Sequence, residues 1–143
     1  MPVSTSECWN FFSNAKNLLA ITPVSLNLKI TSEIKDEEIH KGQIITYSVK
    51  PLLGIPLFWK TEISHVERHK LFVDEQRKGP YALWHHEHHF KPINGGTEMT
   101  DIVQYKLPFG PLGILGLPIV KRQLDSIFAY RKRRIEEEFG VLD

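Results

Sequence analysis

The chain has 143 residues, of which 18 are basic and 17 acidic, so its formal net charge is only +1. This balance gives no general attraction to nucleic acid or to an anionic membrane surface. The length and the 41% hydrophobic content predict one globular domain over residues 1–143 with a sizeable core. The single cysteine, Cys8, excludes an internal disulfide. No signal-peptide pattern and no apolar run of about 18 residues occurs, and we therefore expect a cytoplasmic protein.

The first third of the chain predicts two short helices followed by strands. Ser4 is followed three residues later by Glu7, a spacing typical of a capped helix start. The helical pattern stops at Thr22-Pro23, after which apolar and polar residues alternate as they do in half-buried strands. The predicted elements of this part are helices at about 5–13 and 15–21 and strands at 26–30 and 45–49.

The rest of the chain predicts a run of hairpin-linked strands and one long helix. Asn94-Gly95 is the strongest turn signal and favours a type I′ hairpin, in which both central residues have positive φ. The strands are predicted at 58–66, 71–78, 83–93 and 97–107, and an amphipathic helix at about 118–139. Consecutive strands with short turns indicate a curved antiparallel sheet whose apolar face is covered by that helix, an α+β domain.

Two apolar segments rich in glycine and proline have two interpretations. The stretch FGPLGILGLPIV (109–120) cannot begin as a regular helix, and it is either a buried loop or an apolar lip over a pocket mouth. A lip would meet an apolar ligand or make transient contact with a membrane. The stretch PLLGIPLFW (51–59) is a weaker candidate for a second lip.

The stretch WHHEHHF (84–90) contains four histidines in seven residues. On a strand, alternate side chains share a face, so Trp84, His86, His88 and Phe90 are predicted to point inward. The other set, His85, Glu87 and His89, is predicted to form a solvated outer face. If Asn94-Gly95 is a two-residue turn, the register places the inward residues opposite those of the next strand. The predicted pairs are Phe90 with Met99, His88 with Asp101, His86 with Val103, and Trp84 with Tyr105.

Asp101 is the acidic residue on this inward face and needs a partner such as His88, because an unpaired buried carboxylate is costly. Asp74 or Glu75 of the neighbouring strand joins the same cluster if the register across Gly79-Pro80 allows it. Three interpretations remain open for the cluster: a structural hydrogen-bond network, the polar lining of a ligand cavity, and a metal site. The sequence favours the cavity lining. An HxH pair with one acid is a weak metal signal.

Catalysis is the alternative to binding. A carboxylate can orient and activate an imidazole, so His88 with Asp101 could serve as an acid–base pair. No serine lies in a GxSxG context, and Cys8 lies far from the histidines in sequence, which argues against nucleophilic catalysis. The basic run RKRRIEEE (131–138) is predicted to be a solvated helix face, since its charges are balanced by acids four residues later.

Several segments together resemble a known family. They are FFSNAKNLLAITP, GIPLFWKTEI, FVDEQRKGPYALWHHEHHF, GGTEMTDIVQYKLPFG and FAYRKRR. The chain is similar over nearly its whole length to bacterial ligand-binding SRPBCC proteins of the START-like, helix-grip superfamily, which includes birch pollen allergens and polyketide cyclases. The resemblance implies a bent antiparallel sheet around a long C-terminal helix with a hydrophobic cavity between them. Some relatives are described as cell-division inhibitors.

The positions that match the recurring pattern of this family include Asp74, Trp84, His86, His88, Phe90, Asp101 and Tyr105, and exclude His85 and His89. The chain departs from the family at its start, because the superfamily begins with a strand before the first helix. Our expectation is a truncated first strand, or a start upstream of Met1, and a sheet edge left open. A homodimer through that exposed edge is the expected consequence.

The resulting hypothesis is a protein that binds a small or medium hydrophobic molecule, lipid-like or polyketide-like, between the sheet and the C-terminal helix. No cofactor, no metal, no nucleic acid and no integral membrane segment are expected. The alternatives are a cyclase, dehydratase or hydrolase with a His–Asp pair, and a regulatory module linked to cell division. The predicted ligand-binding residues are Trp59, Asp74, Trp84, His86, His88, Phe90, Asp101, Tyr105, Ile127 and Phe128.

Overall fold

A computed structural model describes residues 1–51 and 54–142. The helices are α1 (Thr5–Phe12), α2 (Pro111–Ile114) and α3 (Leu117–Phe139), with 3₁₀ turns at Ala15–Leu19 and Val24–Leu26. The strands are β1 (Lys29–Ile30), β2 (Ile44–Val49), β3 (Leu57–Glu67), β4 (Leu71–Lys78), β5 (Leu83–Ile93) and β6 (Gly96–Lys106). These elements confirm the predicted α+β architecture, a curved open sheet with a long C-terminal helix.

The six strands form one antiparallel sheet in chain order, each paired with the next. Its concave face is covered by α3 and the N-terminal helices. The β5–β6 register is the predicted one, with Ile93 opposite Gly96 and His88 opposite Asp101. Among the described residues, no helix has the length and apolar character that crossing a membrane requires.

The hairpin turn between β5 and β6 differs from the predicted type I′. Gly95 has a φ of 82°, whereas Asn94 is absent from the residues with positive φ. A type I′ turn needs positive φ at both positions, so that prediction is wrong. The register survives because the loop still has two residues, and loop length fixes which residues face each other.

The N-terminal strand prediction is also partly wrong. In place of a strand over 26–30, the chain makes a 3₁₀ turn and then Asn27 takes a left-handed conformation with φ 43°, so that only Lys29–Ile30 pairs with β2. Asparagine tolerates this conformation better than most residues, which explains why the extended pattern breaks there. The capping box predicted for α1 is present, with Ser4 and Glu7 bonding reciprocally to each other's backbone N–H.

The segment after β6 contains a short helix that the sequence did not predict. Helix α2 of this segment begins at Pro111. Proline is well tolerated in the first turn of a helix, because its missing N–H would have no intrahelical partner there. The apolar side chains in and around α2 are largely exposed, with Phe109 at 81% and Leu115 at 78%. The central leucines of the second predicted lip, Leu52 and Leu53, lie outside the described residues.

An aromatic cluster fills the end of the sheet beneath α1. Trp9 is fully buried and makes edge-to-face contacts with Phe72 and Phe90, with ring centroids 5.9 and 5.5 Å apart. Its indole N–H donates to Glu38 Oε1 over 2.7 Å, which satisfies its one polar group. This end of the domain is a solid core, and the cavity described below lies beyond it.

Strand β6 forms the edge of the sheet. Its only backbone partner on the outer side, among the described residues, is Met1, whose ammonium donates to the Thr97 carbonyl over 3.0 Å and whose carbonyl accepts from the Thr97 N–H over 2.9 Å. The two residues thus exchange hydrogen bonds as an antiparallel pair does.

Candidate functional site

A cavity of about 220 Å³ lies between the sheet, α3 and the N-terminal helical segment. This volume is below the range of about 300–1,000 Å³ that is typical of pockets for drug-sized ligands, so the cavity suits a small molecule. Most of its walls are apolar or aromatic side chains. These walls include Phe11, Leu18, Ile21, Leu28, Ile45, Tyr47, Trp59, Ile63, Phe72, Tyr81, Trp84, Leu124, Ile127 and Phe128.

The polar part of the wall is a cluster of two imidazoles and two carboxylates. The rings of His86 and His88, both 4% exposed, lie side by side with centroids 3.8 Å apart. Asp74 Oδ1 lies 2.8 Å from His88 Nε2 and 3.3 Å from His86 Nδ1. On the other side, Asp101 Oδ1 lies 3.1 Å from His86 Nε2 and 2.9 Å from His88 Nδ1. Every ring nitrogen therefore faces a carboxylate oxygen.

Three strands bring these four residues together. Asp74 on β4 is opposite His86 on β5, and Asp101 on β6 is opposite His88. The histidines stand two residues apart on the central strand, so both point to the same face. Phe72 stacks on the His88 ring with centroids 4.1 Å apart and 17° between the planes, which fixes the orientation of that imidazole.

Burial and charge shift the pKa values of the two histidines in opposite directions. Burial opposes a charge on His86, but the carboxylates, above all Asp74, outweigh it and raise its pKa. Burial, reinforced by the positive charge of His86, lowers the pKa of His88. Burial alone would raise the pKa of Asp74 and of Asp101, yet the imidazoles hold both well below the usual range. The two imidazoles therefore differ in their tendency to take up a proton, which His86 favours and His88 disfavours.

Arg131 of α3 completes the charge balance. Its side chain is only 10% exposed, and Nε lies 3.8 Å from Asp101 Oδ2 without a hydrogen-bond partner among the described residues. Its guanidinium also lies 5.8 Å from the centre of the Phe12 ring. The positive charge of Arg131 therefore offsets part of the negative charge of Asp74 and Asp101.

Solved structures share this fold at low sequence identity. The START superfamily protein from Mycobacterium smegmatis matches with a TM-score of 0.65 and 12% identity, covering 96% of this chain and 90% of that chain. A protein from Chromobacterium violaceum matches with a TM-score of 0.70 and 7% identity, covering 99% and 93%. The chain has a START-like fold. No family model matches the sequence, and no curated protein matches it.

The START-like fold also occurs within a larger protein. The nucleoside-diphosphate sugar epimerase from Corynebacterium glutamicum matches with a TM-score of 0.66 and 21% identity over 96% of this chain but only 27% of that one. At these identities the likeness concerns the fold alone. The chemistry of the site must therefore be argued from its own residues.

Seven of the ten predicted site residues line the cavity of this START-like fold. They are Trp59, Asp74, Trp84, His86, His88, Ile127 and Phe128. Asp101 lies behind the imidazoles and contacts the cavity only through them, while its other side faces a groove between β6 and α3. Phe90 belongs to the aromatic cluster beneath α1, with its centroid 5.5 Å from Trp9. Tyr105 contacts Tyr81 at the end of the sheet and is not a wall residue.

The sequence interpretation missed Arg131, and the structure adds a second imidazole, that of His86, beside Asp101. Arg131 belongs to the basic run predicted to be solvated, yet it lies on the stripe of Leu124, Ile127 and Phe128, and it is buried as Leu124 is. That spacing was the available signal. Asp101 Oδ1 lies 2.9 Å from His88 Nδ1, which agrees with the predicted pairing, and 3.1 Å from His86 Nε2. The other nitrogen of His88, Nε2, lies 2.8 Å from Asp74 Oδ1.

The outer histidines are separate from the cavity. His85 Nδ1 lies 2.9 Å from Glu75 Oε1, and His89 Nε2 lies 2.7 Å from Glu87 Oε2. Both rings are half-buried by these neighbours on the convex face of the sheet. Their orientation agrees with the alternation of β5, and they provide natural controls for the inward pair.

Proposed function

We propose that the protein binds a small hydrophobic molecule, lipid-like or polyketide-like, in the cavity between the sheet and α3. The observation that supports this is the composition of the cavity, whose walls are mostly apolar or aromatic, while Asp74, His86 and His88 lie together on one side of it. Burying apolar ligand surface supplies binding energy at about 25 cal/mol per Å², and a few fixed polar groups supply orientation.

The position of the polar groups indicates which kind of ligand fits. Asp74, His86 and His88 lie together on the sheet side of the wall, and Gln123 lies on the α3 side. A ligand with one polar end and an apolar body would place that end against the imidazoles.

A cavity-filling substitution tests the proposal. We expect Ile127→Trp to occupy the cavity and to weaken binding of the neutral probe N-phenyl-1-naphthylamine by at least about tenfold, measured by fluorescence titration. Ile119→Trp is the matched control, because Ile119 lies on the same helix and is 62% exposed. Thermal unfolding of both variants checks that the fold is intact. Equal probe affinity in wild type and Ile127→Trp would contradict binding in this cavity.

Two partner predictions from the sequence accompany this proposal. The exposed apolar residues around α2, including Leu112 at 73%, suit transient contact with an apolar or membrane surface while a ligand is loaded. The open side of β6 suits pairing with a second copy. Flotation with neutral phosphatidylcholine vesicles and sedimentation velocity test these two proposals separately.

A further inference from the structure

We propose that Asp74, His86 and His88 form a binding site for a divalent transition-metal ion whose open coordination positions face the cavity. One ligand atom from each residue, the carboxylate Oδ1 and the two imidazole nitrogens nearest it, lies within 4.8 Å of the others. Metal–ligand distances of about 2.0–2.2 Å place neighbouring ligand atoms roughly 3.0–3.5 Å apart. The observed separations from Asp74 Oδ1, 2.8 and 3.3 Å, require only small shifts.

The second carboxylate supports this assignment. Asp101 Oδ1 lies 3.1 Å from His86 Nε2 and 2.9 Å from His88 Nδ1. These are the two ring nitrogens that point away from Asp74. Histidines that ligate a metal usually donate their other N–H to a carboxylate, which fixes the tautomer and orients the ring. Asp101 can accept from both imidazoles at once, and Arg131 offsets its charge at 3.8 Å.

One ring nitrogen of the cluster has no hydrogen-bond partner among the described residues. Four ring nitrogens face two carboxylate oxygens, and His88 Nδ1 is buried with no hydrogen-bond partner among the residues that the structure describes. If His88 donates from Nε2 to Asp74, its Nδ1 lone pair points toward the Asp101 carboxylate. An ion bound at Nε2 would move the proton to Nδ1, where Asp101 can accept it. This rearrangement would satisfy the orphan nitrogen.

The two sides of the cluster differ in access. Asp74, His86 and His88 line the cavity, whereas Asp101 does not. Three protein ligands on one side therefore leave the remaining coordination positions open toward the space where a ligand would bind. Two histidines and one carboxylate with open positions is the ligand set of catalytic zinc and of non-haem iron(II) sites.

The charge of the loaded site indicates what it would bind. A divalent ion with Arg131 carries three positive charges, and Asp74 with Asp101 carries two negative charges, so one positive charge remains when both histidines are neutral. The open positions would then take an anionic oxygen, such as a carboxylate, an enolate or hydroxide. This inference goes beyond the proposed binding function and does not depend on it, since it rests on the cluster alone.

The test is metal binding by untagged protein stripped with a chelator and then dialysed against Co²⁺ or Zn²⁺. We expect one Co²⁺ per chain, visible d–d absorption bands, and a higher unfolding temperature with either ion. His88→Ala and Asp74→Asn are each expected to weaken binding by at least about 100-fold, and Asp101→Asn by about 10–100-fold. Asp74→Asn keeps the shape of the side chain, so it remains informative if His88→Ala fails to fold.

The double variant His85→Ala/His89→Ala is the matched control, because it removes two histidines from the opposite face of the same strand. It should bind Co²⁺ as the wild type does. Absence of stoichiometric binding in the wild type, or binding that survives Asp74→Asn and is lost in the control, would overturn the proposal. Titration of the stripped protein with N-phenyl-1-naphthylamine is independent of these outcomes, so a failed metal site leaves the proposed function separately testable.

Discussion

Replacing Arg131 with methionine should destabilise the protein by much more than its place in a basic run suggests. Methionine keeps most of the length of the arginine stem and its apolar packing, so the substitution mainly removes the charge. What remains is the Asp101 carboxylate, only 19% exposed, without the permanent charge of the guanidinium. A buried pair that loses one partner leaves an uncompensated charge.

The size of the effect follows from the geometry. Two unit charges about 4 Å apart near a protein surface attract each other by about 4 kcal/mol at an effective dielectric constant of 20. Arg131 Nε lies 3.8 Å from Asp101 Oδ2 and makes no hydrogen bond there, and the carboxylate also accepts from His86. We therefore expect a loss of roughly 2–3 kcal/mol in the free energy of unfolding, below the 3–5 kcal/mol seen for well-bonded buried pairs.

The same helix provides a control at nearly the same distance. Arg133 Nε lies 3.9 Å from Glu137 Oε1, but the two side chains are 66% and 51% exposed. Pairs of this kind contribute about 0.3–0.5 kcal/mol. Arg133→Met should therefore change the free energy of unfolding by no more than about 0.5 kcal/mol. Because the two charge separations are nearly equal, the comparison shows how much burial alone adds to the effect on the free energy of unfolding.

Urea denaturation at pH 7, followed by the fluorescence of the three tryptophans, measures both variants. A double-mutant cycle with Asp101→Asn should show a coupling of at least about 1 kcal/mol between positions 101 and 131. If Arg131→Met costs no more than Arg133→Met, or if the cycle shows no coupling, Arg131 does not neutralise the cluster.

Three further predictions concern other parts of the fold. Burial raises the pKa of the Cys8 thiol to about 12, so at pH 8 only roughly one thiol in ten thousand is ionised. Ellman's reagent should therefore react with Cys8 only in urea, and rapid reaction of the native protein would contradict this prediction. Ser4→Ala removes the capping box with Glu7 and should cost about 1 kcal/mol in urea unfolding, whereas Ser4→Asp should largely retain stability. Burial raises the pKa of Tyr81 to about 12. The stability that this tyrosine contributes is therefore complete below about pH 10 and is lost as the pH rises toward 12. The difference in absorbance at 295 nm between wild type and Tyr81→Phe reports the ionisation of Tyr81, and a midpoint near pH 10 would refute the prediction.

The parts of the fold that local rules determine were predictable from the sequence. Alternation and a two-residue turn gave the faces of β5 and the complete β5–β6 register, because strand period and loop length leave no freedom. The β4–β5 register, which places Asp74 opposite His86, was not predictable across Gly79-Pro80. A longer connection allows several registers, and only the packed sheet selects one.

The site was predictable to the extent that it depends on strand faces. His86, His88 and Trp84 were correctly placed on the concave side, whereas Phe90 shares that side but lies in the solid core beneath α1. Facing inward does not determine how far along the sheet the cavity extends. Arg131 was missed because its charge concealed its position on the apolar stripe of α3. The acid–base role of His88 with Asp101 stays a prediction.

The exchange of hydrogen bonds between Met1 and Thr97 has a practical consequence for anyone who produces the protein. Residues fused in front of Met1 would begin alongside β6, where the main-chain groups of an edge strand are available, and would run toward the groove that Asp101 and Arg131 line. An N-terminal affinity tag could therefore add itself to the sheet and alter both oligomer formation and the histidine cluster. Because Gly140 and Val141 line the same groove, a purification handle at either end of the chain should be removed before any measurement of affinity.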